Sequence, residues 1–472
     1  MKTYTLEPQD LLFFRDARPM ETSGGHGARW PEPSVIFDAL HAALWRAFPE
    51  KRAWEHKHDY GRSSHRPRNG DTQRFGSLVS AGLFAVWTDG RWLFPAPADA
   101  TASDDTDGWL LVPQASQGST NLPAPFLKCT VASRAKPSKE TVQPWWSTTA
   151  WRDYLAGQKP ARAELFSHDD LFAAEWTTGI GIDPETQTQD GQRIYSAEYL
   201  RLRPKVRCGF TASLRMKHNG SGRDLRECIE QLFEATDTII VGGQQRPCRV
   251  EPSKENATPP FPLGMSRDFH SHGEAGNQRL LVKWILLTPA IWPEIKPGFT
   301  RSREEIRAHP GGWLPNWICP NSGKVLLHHR PGEVRRVWDE TKGRTVRRAD
   351  NETNIAAHLV AACVPKPTPV TGWTERLHLL QDEREKWAPG GDDKAHGPRQ
   401  THLAVPAGAV YYFEADSETD ARNLAAALNW HGGQKSEIEN PKAEIRMNRR
   451  STLMGEKGFG LGVCGTWKFF GT

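Results

Sequence analysis

The stretch MGEKGFGLGVCGTWKFFGT, residues 454–472, sets five glycines between Gly455 and Gly465. Glycine reaches backbone angles closed to other residues, so this density dictates a tight, closely approached loop rather than a helix or a long regular strand. Gly460-Leu461-Gly462-Val463-Cys464-Gly465 even satisfies G-x-G-x-x-G. That fingerprint holds a dinucleotide when a strand feeds it and a helix follows, because the phosphates sit on the helix N-terminus. Here the β-prone VCGTWKFF follows instead. No G-x-x-x-x-G-K-[ST] occurs, and Gly323-Lys324 is followed by Val325. Dinucleotide and P-loop chemistry are therefore set aside, and the loop must serve a strand.

With 472 residues the chain exceeds the size at which single cores stop growing, so two domains with insertions are expected. A net charge of +5 permits an anionic partner without demanding one. Nineteen tryptophans are the compositional outlier. Most are read as core and contact residues, a few as stacking faces for bases. Seven scattered cysteines with no C-x-x-C fit buried thiols in a reducing, cytoplasmic compartment. No apolar run is long enough to span a membrane, and Glu7 and Asp10 interrupt the start where a signal peptide needs apolar residues.

Along the chain, TYTLEPQDLLFF is strand-like, and PSVIFDALHAALWRAF is an amphipathic helix with Ile36, Leu40, Leu44 and Phe48 on one face and Ser34 as its cap. GLFAVWTDGRWLFP reads as a hairpin turning at Asp89-Gly90. A polar, proline-rich stretch over about 97–165 reads as an insertion. Strands follow in IYSAEYLRLRPKVRCGFTASLRM, then a helix in RDLRECIEQLFEA, the pair Gly242-Gly243, and a strand PCRVEP. The order is β-α-β-β-α-β, the ferredoxin-like plan. The second half repeats parts of it: a strand in RLLVKWILLTPAIW, a strand GAVYYFEA, a helix opened by Ser417 with Asp420 three residues on, then the glycine loop and last strand. The fold expected is α+β, with two ferredoxin-like modules over 1–255 and 256–472 and insertions around 97–165 and 295–400.

Glycine loops beside an open antiparallel sheet let a polymer backbone come close, with N–H groups free for phosphates and nearby cations to neutralise them. Lys457 lies in the terminal loop, Arg446, Arg449 and Arg450 precede it, and Arg246 follows Gly243. The bland alternative is tight turns beside a solvated basic face.

Eleven short stretches occur in an order that resembles the RAMP superfamily of CRISPR proteins, within it the family of third subunits of type III-B Cmr effector complexes. They are LEPQDLLFFRDARPM, WPEPSVIFDALHAAL, RFGSL, FPAPAD, TGIGIDPETQTQDGQRIYSAEYLRL, VGGQQRPCRVE, ILLTPAIW, GGWLP, VPKPTPVTGW, VPAGAVYYFEA and GEKGFGLGVCG. Residues 98–165 and 325–355 lie outside the likeness. The resemblance implies an RNA-binding subunit without catalytic duty, cofactor or metal. It implies that the subunit holds the repeat-derived 5′ tag of a guide RNA and touches a large polymerase/cyclase-like subunit and a backbone RAMP subunit, with no membrane involved. The insertions and GGHGARW depart from the family pattern.

On that basis the RNA-binding candidates are Arg15 and Arg18, Gly24, Gly25, His26, Arg29, Trp30 and Ser34, Arg193 and Tyr195, Gly242, Gly243 and Arg246, and Lys457, Gly458, Phe459, Gly460 and Gly462. Arg15 or Arg18 could instead pair with Asp16, and Ser34 could simply cap the helix. SGGHGARW offers free N–H groups, a cation and a stacking Trp30, the mix of a single-strand clamp, or else it contacts a neighbouring subunit. The terminal loop around Lys457 is the favoured contact, and a β-hairpin carrying Arg193, Tyr195, Arg201 and Arg203 a further one. Two rival readings stay open. One is a guide-processing endoribonuclease with His41 or His26 as general base; the other is a structural adaptor whose glycine loops dock protein. His56-x-His58, His270-x-His272 and Cys319 with His328-His329 do not make a four-ligand zinc set.

Overall fold

The structure is a computed structural model. It describes residues 1–14, 24–25, 27, 30–47, 78–103, 108–114, 131–133, 139–183, 185–217, 225–253, 259–274, 278–299, 305–329, 335–339, 344–348, 353–371, 373–375, 396–398, 401–433 and 447–470. The protein is mixed α+β, rich in sheet and sparing in helix.

In the first half an eight-stranded sheet runs in the order 238–240, 247–252, 2–8, 206–213, 79–87, 92–95, 145–147, 165–166. Its central strands Pro247–Pro252, Lys2–Pro8, Val206–Ser213 and Val79–Trp87 pair antiparallel throughout. Numbered by chain order these four stand 4-1-3-2, with helix Pro33–Ala47 after the first strand and helix Cys228–Ala235 after the third. Both helices cover one face: Ile36, Leu40 and Leu44 meet Leu6, Phe210 and Leu83, with Ile229 and Leu232 beside them. The first helix opens on Pro33, where a missing N–H costs nothing, so Ser34 sits inside the first turn rather than ahead of it. The second helix is shorter than its apolar spacing predicts. Leu225–Glu227 pair with Arg215–Lys217 as a small ribbon, tertiary pairing overriding local propensity. Strands Trp145–Ser147 and Leu165–Phe166, from the stretch read as an insertion, continue the sheet beyond Trp92–Pro95.

The second half centres on strand Arg279–Leu286, flanked by Val410–Ala415 on one side and by His270–His272 and Gly462–Thr466 on the other. Edge strand Ala357–Cys363, which lies inside the stretch read as an insertion, pairs with Val410–Ala415. Chain order again gives 4-1-3-2. Helix Glu418–Leu428 is capped by Ser417, whose Oγ accepts the Asp420 N–H at 3.1 Å. No helix is found among the described residues between strands 279–286 and 357–363, where the first half has its first helix; irregular chain and short hairpins stand there instead. Among those hairpins is the charged one, Arg335–Asp339 with Arg344–Arg348.

Successive residues of a strand face opposite sides, and in strands Val79–Trp87 and Arg279–Leu286 both sides are buried over most of their length. Leu83 and Ala85 join the core under the first-half helices, whereas Phe84 and Val86 face the second half. Val282, Trp284 and Leu286 join the core under helix Glu418–Leu428, whereas Leu281 and Ile285 face the first half. The two halves thus share one apolar core, with Trp92, Phe94, Trp146 and Trp151 contributed by the first and Tyr412, Trp430, Leu461 and Val463 by the second.

One charge pair is sealed inside that core. Lys283, 3% exposed, meets Asp99, 1% exposed, at 3.2 Å. The Tyr154 hydroxyl donates to Asp99 at 2.8 Å and that of Tyr412 at 3.2 Å, and the Lys283 ammonium lies 3.8 Å from the Tyr154 ring centroid. Burial pulls the Lys283 ammonium down, opposed by Asp99, and pushes both tyrosines well up. Removing one partner of such a pair strands a buried charge at a cost of about 3–5 kcal/mol, while replacing both with apolar groups of similar volume is close to neutral. Asp99→Asn is therefore expected to lower the urea unfolding midpoint sharply, and Asp99→Leu with Lys283→Met to restore most of the loss. Equal loss in both variants would show that the pair itself stabilises the joint.

Candidate nucleic-acid interface

The contact with the second half covers part of the first sheet's second face, at strand Val79–Trp87 and beyond. The remaining accessible part of the first sheet's second face carries an ion network, Arg207 and Arg249 with Glu7 and Glu251, and no aromatic ring among these four.

The terminal glycine loop is built for packing. Lys457, which sequence offers to phosphates, donates to Asp38 Oδ1 at 2.8 Å and lies 4.9 Å from the Phe37 ring centroid, both on the first helix. Every N–H from Lys457 to Leu461 is taken internally, by Met454 O, Gly455 O, Met454 O, Pro289 O and Thr288 Oγ1 in turn. Phe459 is buried with Ile291, Val370 and Ala404. Gly458, at φ +95°, runs against Ser80 O, and Gly462 packs too close to the Trp284 indole for a Cβ to fit. The flanking cations are similarly engaged. Arg450 donates to Ala427 O at the end of helix Glu418–Leu428, and Arg449 reaches Ser80 O at 3.5 Å, its guanidinium pulled down to about 10 by burial. Arg446 lies outside the described residues.

The remaining candidates split. Arg15, Arg18, His26 and Arg29 lie outside the described residues. Trp30 is half-buried: its Nε1 donates to Leu83 O at 2.9 Å, and its ring meets Trp145 and Phe172, so it anchors the chain to the core rather than standing clear as a platform. Ser34 is buried in the first helix.

The others converge on one end of the first sheet. A long hairpin, Phe172–Ile182 with Gln189–Leu202, projects there. It is tied to the body where Leu12 and Leu200 exchange backbone bonds of 2.9 and 2.8 Å. Gly24 and Gly25 pair parallel to Ser196 and Ala197 on its edge, and the Gly27 N–H donates to Glu198 Oε2 at 3.1 Å. Arg193 and Tyr195 lie in its second strand. The Gly242-Gly243 turn packs against the same place, with the Gly243 N–H on Phe13 O at 2.8 Å, and a Cβ on Gly242 would come 2.5 Å from that oxygen. Arg246 closes the cluster: its guanidinium stacks 4.8 Å from the Tyr199 centroid and approaches Asp10 at 4.0 Å, and its Nε is buried with no hydrogen-bond partner. Arg201 pairs with Glu175 and Asp10, which holds the Glu175 carboxyl below its ordinary range. Arg203 donates to Asp169 O at 2.9 Å. Phe13, Asp10, Glu198 and Tyr199 were not among the sequence candidates for this site; for Glu198 and Tyr199 the alternating pattern of a long two-stranded ribbon was the signal.

Among the described residues no group of three or more His, Cys, Asp or Glu is placed to hold a metal ion, and no helix is long and apolar enough to cross a membrane. Burial pushes the thiols of Cys208, Cys248 and Cys464 up, away from reactive thiolate.

The architecture is that of a two-sheet α+β protein with a projecting ribbon and its glycine turns at one end. Residues 4–467 match the family described as CRISPR-associated protein (Cas_Cmr3), and the chain belongs to that family. Among solved structures it is similar to a chain of the type III-B Cmr-beta complex bound to cognate target RNA and AMPPnP, at 12% identity and TM-score 0.37, covering 87% of this chain and 86% of that one. It is also similar to a chain of the Csm3-Csm4 subcomplex of the type III-A interference complex, at 10% identity and TM-score 0.34, covering 88% and 94%. No curated protein matches the chain.

Gly460 tests the packing role of the terminal loop. At φ +79° with Ser451 N only 2.1 Å from where a Cβ would stand, Gly460→Ala suffers both backbone strain and overlap. Gly90, at φ +94° with nothing within 4 Å, suffers strain alone, about 1–2 kcal/mol. In urea unfolding Gly460→Ala is expected to lose clearly more than Gly90→Ala; equal losses would mean that the loop yields freely.

Proposed function

We propose that this chain is a non-catalytic RNA-binding subunit of a type III-B Cmr ribonucleoprotein, holding the repeat-derived 5′ tag of the guide RNA and bridging a large polymerase/cyclase-like subunit to the backbone RAMP filament. Family membership supports the CRISPR setting. The carrying observation is the cluster at the hairpin end, where Gly24-Gly25, Gly242-Gly243, Arg246 and Tyr199 meet. Glycines there let a backbone come close, and an arginine stacked on a tyrosine suits a phosphate or a base face. Arg201 and Arg246 are balanced locally by Asp10 and Glu175, so this reading assigns net positive charge for phosphates to the sequence candidates Arg15, Arg18, Arg29 and Arg193. We read both halves as ferredoxin-like modules. The 4-1-3-2 strand order supports this, with the first helix of the second module replaced by irregular chain. Ile180, Ile182 and Ile194, 49%, 62% and 57% exposed on one face of the ribbon tip, favour contact with a neighbouring protein subunit. Protein function without a cofactor, in the cytoplasm, is part of the same reading.

The test is a salt titration of guide-RNA binding by the assembled particle. Arg246→Ala is expected to weaken binding several-fold and to reduce the salt slope by about 1. Lys457→Ala is expected to leave both unchanged and only soften the fold. A large RNA defect from Lys457→Ala with an unchanged Arg246→Ala would return the contact to the terminal loop. Cleavage of repeat RNA by the pure chain, lost in His41→Ala, would favour the processing-enzyme reading instead.

A further inference from the structure

Much of the chain's positive charge is gathered in one short segment of the second half. Residues 335–348 hold six arginines and lysines against two carboxylates, net +4, whereas the whole chain carries +5. Strands Arg335–Asp339 and Arg344–Arg348 pair antiparallel as a two-stranded sheet of their own. The chain before and after them is tied to the body. His328–His329 pair with Thr353–Asn354, and the Val325 N–H donates to Ala357 O at 2.9 Å. The ribbon thus issues from beside edge strand Ala357–Cys363, and the guide-holding reading gives it no task.

Its register is what points to a ligand. Arg335 stands opposite Arg348, and Arg336 opposite Arg347. Residues opposite one another in an antiparallel pair are close neighbours, and like charges there are unfavourable. At the other end Asp339 stands opposite Arg344, a cation answered by an acid, but no register partner of the four other arginines is acidic. A lone two-stranded ribbon is itself marginal in water. An anion laid along it relieves both like-charge pairs. The two-residue period says which anion: positions 336, 338, 345 and 347 share one face, so Trp338 lies one step from the Arg336–Arg347 pair. Cations for phosphates beside an aromatic residue for a base make a single-strand site, whereas an acidic protein surface needs only the cations. We infer that this ribbon is a second RNA contact of the chain, taking the phosphodiester backbone of a single strand on its arginines and a base on Trp338. The guide and an RNA complementary to it offer the same chemistry, and the experiment separates them. The inference rests on the RNA-binding reading above and adds a site in the second half to the Arg246 cluster of the first.

The experiment uses the reconstituted particle with the full-length chain. It binds first the guide RNA and then, once loaded, a complementary RNA, each over a range of salt. Arg336→Gln with Arg347→Gln is expected to weaken one of the two strands several-fold. Its log–log salt slope falls by about 1.4, two phosphates at about 0.7 each on a single strand. Arg336→Lys with Arg347→Lys keeps the slope. Trp338→Ala weakens the same strand about fivefold or more and leaves its slope unchanged. Thr345→Glu sets a carboxylate opposite Trp338 and removes no arginine; it weakens that strand too, and gives the readout should the double variant fail to fold. The strand affected identifies the source. Both strands unchanged in the double variant and in Thr345→Glu, with guide binding still weakened by Arg246→Ala, overturn the ribbon assignment and leave the RNA-binding reading standing. Loss of a protein subunit from the double-variant particle, with both salt slopes unchanged, gives the ribbon to an acidic protein surface and equally overturns the assignment. RNA not bound by the wild-type particle overturns both readings.

Discussion

Two antiparallel sheets bury their second faces against one another, and a sealed Asp99–Lys283 pair with its two tyrosines sits in the seam. Most of the molecule's layout follows from that contact. Where a sheet is covered by helices on one side and by the other half on the other it has no platform left, and the rest of the first sheet's second face carries the ion network of Arg207, Arg249, Glu7 and Glu251. The glycine loop, Thr288 and Arg449 lie along the same seam and bring the terminal strand to the first helix and strand Val79–Trp87. Burying an ion pair there adds little net stability against an apolar filling, but either charge alone is strongly unfavourable, so it rewards one relative placement of the halves.

Much of this was legible in sequence where the deciding interactions are local. The apolar stripe of the first helix, the Asp89-Gly90 turn and the Ser417 cap all act within a few residues, and all stand where the pattern puts them. The tryptophans Trp151, Trp284, Trp292 and Trp430 are fully buried, the bland reading of a Trp-rich chain. The shared core had a signal too. LFAV and LLVKWILL are near-continuous apolar runs rather than the alternation of a half-exposed strand, which is the mark of burial on both faces.

What could not be read was commitment across distance. Lys457 among glycines advertises a free cation and open N–H groups, yet its partner Asp38 lies 419 residues away in sequence. Trp30 looks like a stacking face because the sequence cannot say that Leu83, Trp145 and Phe172 close around it. The cluster at the hairpin end drew several of its members from the sequence list, but Tyr199 and Glu198 became visible only once the register set them beside Arg246 and Gly27. Glycine-rich segments of similar composition thus sit in opposite settings: Gly458 and Gly460 are packed inside the molecule, whereas Gly242 and Gly243 are exposed.

The central claim is that RNA meets the hairpin end and not the terminal glycine loop. Ultraviolet crosslinking of the particle purified from its native host, followed by mass spectrometry of the RNA-bearing peptides, tests it most directly. Adducts are expected on peptides covering residues 10–30, 193–203 and 242–249 of this chain, with none on 455–462. Adducts concentrated on 455–462, with the hairpin peptides unmodified, would contradict the account.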